Sequence, residues 1–143
     1  MAHMFQSCIS LTSINLSNFM TTNVEKMENL FSYCSSLICI ELSKFNIEKV
    51  TSFEYMFNGC NNLKNINISN FNSKNVKSMN SMFYSCSSLI STNISNFNTI
   101  NLQYMNSMFR GCSSLKNLDL SNFITPNLLN LQYTFENCKN LTF

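Results

Sequence analysis

The sequence predicts an α/β repeat solenoid, with a parallel sheet on its concave face and short helices on the opposite side. Three observations predict it: phenylalanine recurs every 26 residues, a cysteine follows each of these phenylalanines by three residues, and a leucine follows each cysteine by three. The phenylalanines are Phe5, Phe31, Phe57, Phe83, Phe109 and Phe135. A fixed period without insertion or deletion is typical of stacked repeats, in which each unit packs only on its neighbours.

The period also sets the domain organisation. The chain has 143 residues, which is enough for one domain with a continuous core. Residues 1–4 are expected to be a cloning remnant that merges into the first repeat, and residues 4–143 a single solenoid of about five and a half 26-residue repeats. Neither end carries the polar cap that solenoids need. The chain is therefore expected to be a piece of a longer protein, or to pair end to end as a homodimer.

One strand is predicted in each repeat. In the stretch LKNINISNF, residues 63–71, the apolar residues Leu63, Ile66 and Ile68 face inward and polar residues alternate with them. This alternation is typical of a strand with one buried face. Stacked repeats would pair such strands in parallel, at about 4.8 Å per step.

A short helix is predicted after each strand. Five apolar residues recur at steps of 3, 3, 1 and 3, as one helical stripe does: Val76, Met79, Met82, Phe83 and Cys86. Asn75 is the candidate N-cap of this helix. Because helix axes prefer about 8–10 Å of separation, the helical side should be wider than the strand side and the solenoid should curve. Together these features predict a leucine-rich-repeat solenoid.

Two series of residues are expected to form a structural ladder inside the solenoid. They are Cys8, Cys34, Cys60, Cys86, Cys112 and Cys138, and Phe19, Phe45, Phe71, Phe97 and Phe123. Cysteines one strand spacing apart are too distant for disulfides, which need Cβ atoms about 3.8 Å apart. We therefore expect free, buried thiols that fill space, in preference to a redox or metal ladder.

Cys39 departs from the cysteine series. It occupies an outward strand position where other repeats have Ser or Asn, so it is the candidate exposed thiol. Such a thiol could join two molecules or react with an oxidant. The alternative is a neutral replacement of serine.

The outward strand positions form the candidate concave binding face. They are Ser13, Asn15, Ser17, Cys39, Glu41, Ser43, Asn65, Asn67, Ser69, Ser91, Asn93, Ser95, Asn117, Asp119 and Ser121. This face could dock a protein or glycan partner, or it could serve solubility alone. It lacks Tyr, Trp and Arg, the residues that most often dominate binding energy. The tyrosines and Arg110 fall on loops and on the predicted helical side.

Composition and motifs argue against other functions. The net charge is +2 and the lysines are dispersed, which disfavours nucleic acid as a partner, and no apolar stretch is long enough for membrane insertion. Glu41 and Asp119 lie three repeats apart, about 15 Å by strand spacing, too far to act on one bond. Metal-ligand spacings and nucleotide motifs are also missing from the sequence. We expect no enzyme activity, no metal and no cofactor.

The repeated phrase M-F-x-x-C-S-S-L-x-x-L-x-L-S-N-F resembles the BspA-like leucine-rich repeat surface proteins, in their 26-residue class. The resemblance covers residues 4–143. Two features depart from it: Phe stands where many relatives carry Trp, and Thr92 replaces an inward aliphatic residue. The resemblance implies a cell-surface or secreted protein that adheres to host cells or extracellular matrix. A cytoplasmic interaction scaffold, or a spacer without a partner, is the competing interpretation, because unpaired cysteines suit a reducing compartment.

Overall fold

The structure is a computed structural model, and it describes residues 1–142. Each 26-residue repeat forms one coil, and successive coils stack on one another. Two strands are found, β1 (Cys39–Glu41) and β2 (Asn65–Asn67). They pair in parallel with Cys39 opposite Asn65 and Glu41 opposite Asn67. In both strands the central isoleucine is buried and its neighbours are exposed, as the alternation in the sequence predicts.

The sheet is narrower than predicted within the described residues. Backbone hydrogen bonds do continue between coils on this side, for example from Lys64 N–H to the Ile38 carbonyl oxygen at 2.9 Å. The bond from Ile90 N–H to the Lys64 oxygen is longer, at 3.4 Å. Further along, Ser91 and Asn117 form an isolated parallel bridge. The strand side is therefore a column of very short parallel segments, of which β1 and β2 are the most regular pair.

The prediction of short helices is wrong, since residues 1–142 contain no helix. The apolar stripe lies instead on a row of tight turns, closed by hydrogen bonds such as Met82 N–H to the Met79 oxygen at 3.2 Å. Ser81 and Ser85 have φ of 53° and 59°, which an α-helix does not allow. Turns closed every three residues place apolar side chains at the same spacing as a helix does. Asn75 accordingly caps no helix.

These turn rows are also bonded from coil to coil. Alternate N–H groups donate to the next coil, as Phe57 does to the Met82 oxygen and Phe83 to the Met108 oxygen, both at 2.9 Å. The coils are thus hydrogen-bonded on the turn side as well as on the strand side. Because residues 1–142 contain no helix, the expected curvature loses its argument, and we call the candidate concave face the strand face from here on.

The core runs along the whole stack between these two sides. The 26-residue phenylalanine series forms a continuous stack, with ring centroids 5.3 to 6.0 Å apart and planes within 11° of parallel. In the second series Phe45, Phe71 and Phe97 are buried, whereas Phe123 is half-buried and Phe19 is 37% exposed. Both departures fall in the outer coils of the described chain, which have a neighbouring coil on one side.

Asparagine side chains hold the coils together at the bends. In one column Asn70, Asn96 and Asn122 donate from Nδ2 to backbone carbonyl oxygens 27 residues earlier, at 2.9 to 3.3 Å. A second column does the same at 2.7 to 2.8 Å, and its members are Asn75, Asn101 and Asn127. These six asparagines are therefore structural, because each of their amides donates to a carbonyl oxygen of the preceding coil.

Thr92 provides a test of this packing. Its buried Oγ1 has no hydrogen-bond partner among the described residues, whereas Thr99 Oγ1 donates to the Ile124 oxygen at 3.0 Å. We expect Thr92→Val to raise the free energy of unfolding by about 1 kcal/mol, since it removes an unsatisfied buried hydroxyl. The isosteric control Thr99→Val should lower it by about 1 kcal/mol. Urea unfolding measures both, and a destabilised Thr92→Val protein would contradict the assignment.

Candidate interaction surfaces

The strand face lies open to solvent. Its fifteen side chains, from Ser13 to Ser121, are all exposed or half-buried. The half-buried members are Ser43, Ser69 and Ser95, which stand where the chain bends away from the strand. The face is a set of short polar side chains at fixed spacing, on a backbone bonded from coil to coil.

The middle position of each strand segment closes the bend that follows it. Glu41 Oε1 accepts a hydrogen bond from Ser43 N–H at 2.7 Å, and Asp119 Oδ1 accepts one from Ser121 N–H at 2.9 Å. Asn15, Asn67 and Asn93 accept from the serine two residues on in the same way. The sequence predicted these groups as outward polar side chains of the candidate binding face, without this role in closing the bend. The recurrent Asn/Asp-x-Ser spacing, typical of Asx turns, was the signal for this second role.

Glu41 gives the strand face a fixed negative charge. Hydrogen bonds from Ser43, and then from Asn67, hold the pKa of its carboxyl below the usual value. The bond from Asn67 Nδ2 to Glu41 Oε2 is 3.1 Å long and links two coils. A shallow groove beside Glu41 is lined by Asn15 and Lys44. Hydrogen bonds from Ser121 lower the pKa of Asp119 likewise.

Four of the six cysteines that recur every 26 residues are buried, namely Cys34, Cys60, Cys86 and Cys112. Each thiol donates to the carbonyl oxygen of a phenylalanine 29 residues earlier, at 3.0 to 3.1 Å. The Phe57 oxygen, for example, accepts both from Cys86 Sγ and from Cys60 N–H. The thiols therefore bond the coils together and do not merely fill space, which sequence analysis missed.

Burial makes these thiols unreactive. It raises the pKa of the Cys34 thiol to about 11, and the pKa values of Cys60, Cys86 and Cys112 also lie well above the ordinary value. Because the thiolate is the nucleophile and the metal ligand, such groups are inert at neutral pH. Among the described residues, no cluster of His, Cys, Asp and Glu could hold a metal ion.

The two outer members of the series depart from the expected burial. Cys8 is exposed and Cys138 is half-buried. Cys8 lies in a coil that is covered on one side, so its thiol lacks the second neighbour that buries Cys60. Cys39 is exposed on the strand face, opposite Asn65 in the strand register.

Aromatic side chains gather on the opposite side of the coil. We define the turn face as the exposed side chains of the turn rows at residues 1–8, 27–34, 53–60, 79–86, 105–112 and 131–138. Tyr33, Tyr55 and Tyr133 are exposed there, and Tyr84 and Arg110 are half-buried. These are the residue types that the strand face lacks.

The model of the family described as "Mycoplasma protein of unknown function, DUF285" matches residues 1–92 and 37–142. These two overlapping matches span almost the whole chain. The chain belongs to this family. DUF285 is a Mycoplasma and BspA-like repeat family, so the resemblance to BspA-like proteins is confirmed. No curated protein sequence is similar to this DUF285 chain.

Solved structures similar to this chain are bacterial leucine-rich repeat proteins. One from Eubacterium ventriosum is 20% identical with a TM-score of 0.54, over 82% of this chain and 29% of that one. The T. pallidum leucine-rich repeat protein is also 20% identical with a TM-score of 0.54, over 99% and 70%. One from Bacteroides ovatus is 24% identical with a TM-score of 0.50, over 99% and 44%. These likenesses confirm the repeat solenoid, and this chain spans less than half of the first and third proteins.

The described part of the chain has no helix that is long and apolar enough to span a membrane.

Thiol labelling checks the burial of the cysteine series. We expect two cysteines, Cys8 and Cys39, to react rapidly with a maleimide in native protein, while the buried four react only after denaturation. Cys39→Ser should remove one of the two fast equivalents. Rapid labelling of Cys60 or Cys86 without denaturant, identified by mass spectrometry, would contradict the buried ladder.

The raised thiol pKa values also predict how stability depends on pH. Unfolded cysteines lose their protons near pH 9, whereas folded Cys34 keeps its proton up to about pH 11. The folded state therefore binds more protons in this interval, and the free energy of unfolding should fall as pH rises above 9. Each buried thiol contributes a slope of about 1.4 kcal/mol per pH unit.

Cys86→Ala is the matched variant for this measurement. It lowers stability at neutral pH, but the fall above pH 9 should be shallower than in the parent by the contribution of one thiol. Urea unfolding at a series of pH values measures both slopes. Equal slopes would show that the Cys86 pKa is the same in the folded and unfolded states.

Proposed function

We propose that this chain is a non-catalytic, cell-surface or secreted scaffold whose strand face binds a protein of host cells or extracellular matrix. The leucine-rich repeat fold supports a protein-interaction scaffold. The BspA-like family relationship supports surface display and adhesion. The observation that carries the choice of face is the row of fifteen outward polar side chains at fixed spacing on a backbone bonded from coil to coil.

Rigidity favours binding through this face. Several of its side chains are held in place before any partner arrives, as Glu41 is by Ser43 N–H and Asn67 Nδ2. A surface ordered in advance loses little conformational entropy on association. Each short side chain gives a small contribution, so affinity should come from many contacts along successive coils and not from a single anchor.

The charges of the strand face favour a basic partner. Glu41 and Asp119 are exposed there, and both carboxylates are ionised at neutral pH, since hydrogen bonds from the serine two residues on lower a pKa that is already acidic. The outward positions themselves carry no lysine or arginine. A partner that presents lysine or arginine side chains is complementary, and its association should weaken with added salt.

A cytoplasmic interaction scaffold is the second candidate. The observation that favours it is that all seven cysteines are free thiols, as is common in reducing compartments. Antibody labelling of intact cells separates the two locations, since only a surface protein is stained without permeabilisation.

End-to-end pairing of two copies stays a prediction, which light scattering at high concentration checks.

Cys39 allows a direct test of the strand face. In a Cys8→Ser background, a bulky maleimide-linked polymer attached to Cys39 should block the face and reduce binding to a panel of purified extracellular-matrix proteins at least about tenfold. The control is Cys39→Ser protein labelled at Cys8, which should bind as the unlabelled chain does. Undiminished binding after Cys39 labelling would refute the strand face as the binding surface.

A further inference from the structure

Tyrosine occupies backbone positions on the turn face that do not favour it. Two positions in each turn row have positive φ, and the residues other than tyrosine at these positions are His3, Ser7, Asn29, Gly59, Ser81, Ser85, Ser107, Gly111 and Asn137. Tyr33, Tyr55 and Tyr133 occupy them with φ of 61°, 56° and 59°. This conformation is sterically strained for a residue with a bulky side chain. Because these side chains are 40% to 60% exposed, burial in the core does not explain them.

Arg110 lies between one of these tyrosines, Tyr133, and a further tyrosine of the turn face, Tyr84. Its guanidinium lies 5.2 Å from the ring centre of Tyr133 and 5.7 Å from that of Tyr84. Its Nε–H donates to Glu136 Oε2 at 2.7 Å. The four side chains come from three successive coils, and backbone bonds hold those coils in register, including Gly111 N–H to the Glu136 oxygen at 2.8 Å. The cluster is therefore assembled without a ligand.

We propose that Tyr84, Arg110 and Tyr133 form a second docking surface, which binds a protein segment presenting a carboxylate beside an apolar side chain. Tyrosine and arginine are the residue types that most often dominate protein–protein binding energy. Guanidinium has five N–H donors in a planar fork, and the 2.7 Å contact with Glu136 is made by Nε. The remaining edge of the fork suits a carboxylate from outside, and the two rings provide apolar faces beside it.

Charge complementarity selects a carboxylate. Arg110, Glu136 and Lys139, which directly follows the last turn row, together carry a net charge of +1. This net positive charge remains after Arg110 and Glu136 have formed their ion pair. This surface lies on the other side of the coil from the strand face, and neither proposal depends on the other.

Selection from a phage-displayed library of random short peptides on the intact chain tests the proposal. We expect the selected peptides to be rich in Asp or Glu next to aliphatic or aromatic residues. The affinity of a selected peptide should fall at least about tenfold in Arg110→Ser and in Tyr133→Ser. Serine occupies the equivalent positions of other coils, at Ser32 and Ser107, so both variants suit the local backbone.

Two matched variants control for general damage. Tyr104→Ser removes an exposed tyrosine outside the cluster, at a position where other coils carry Ser52 and Ser78, and Glu41→Gln alters the strand face. Both should bind the peptide within about twofold of the parent. Selection of no peptide, selection of peptides without acidic residues, or unchanged binding in Arg110→Ser would each overturn the proposal. Loss of binding in Glu41→Gln alone would assign the peptide to the strand face instead and would also overturn it.

Discussion

The structure depends on backbone hydrogen bonds that tie each 26-residue coil to the next on two sides. Strand segments supply them on one side, and the turn rows supply them on the other through bonds such as Phe83 N–H to the Met108 oxygen. Equivalent residues are therefore placed directly above one another. Identical side chains then form ladders: phenylalanine rings stack within 6.0 Å, and each buried thiol reaches the same carbonyl of the coil before it. A single insertion would displace all the ladders together, which accounts for the uninterrupted period.

The period and the inward positions could be predicted from sequence, but the conformation of the turn rows could not. Apolar residues such as Val76, Met79 and Met82 are three residues apart both in a helix stripe and in turns closed every three residues, so their spacing does not decide between the two. The deciding information is the sign of φ at two positions of each row. Gly59 and Gly111 mark one of these positions, but tyrosine and serine elsewhere obscure the pattern.

The outward positions of the strand face were also predicted, and all of them are exposed or half-buried. The structural use of polar side chains was not predictable to the same extent. Asparagine amides bond one coil to another at the bends, and Asn67 and its equivalents close bends on the strand face itself. A chain with 11% charged residues thus uses neutral amides for cohesion where ion pairs would otherwise serve. The donors and acceptors left for a partner are fewer than the composition suggests.

Because the coils share one backbone conformation, each column of equivalent residues shows what the fold alone requires. Serine, asparagine and glycine fill many of the exposed positions, so a bulky or charged residue in the same column needs another reason. Cys39 and Glu41 differ in this way on the strand face, and Tyr133 and Arg110 differ on the turn face. The strand-face exceptions leave the backbone unstrained, and Glu41 closes its bend as asparagine does. Tyr133 has a strained φ and an exposed ring, so among these exceptions it is the one for which folding provides the least explanation.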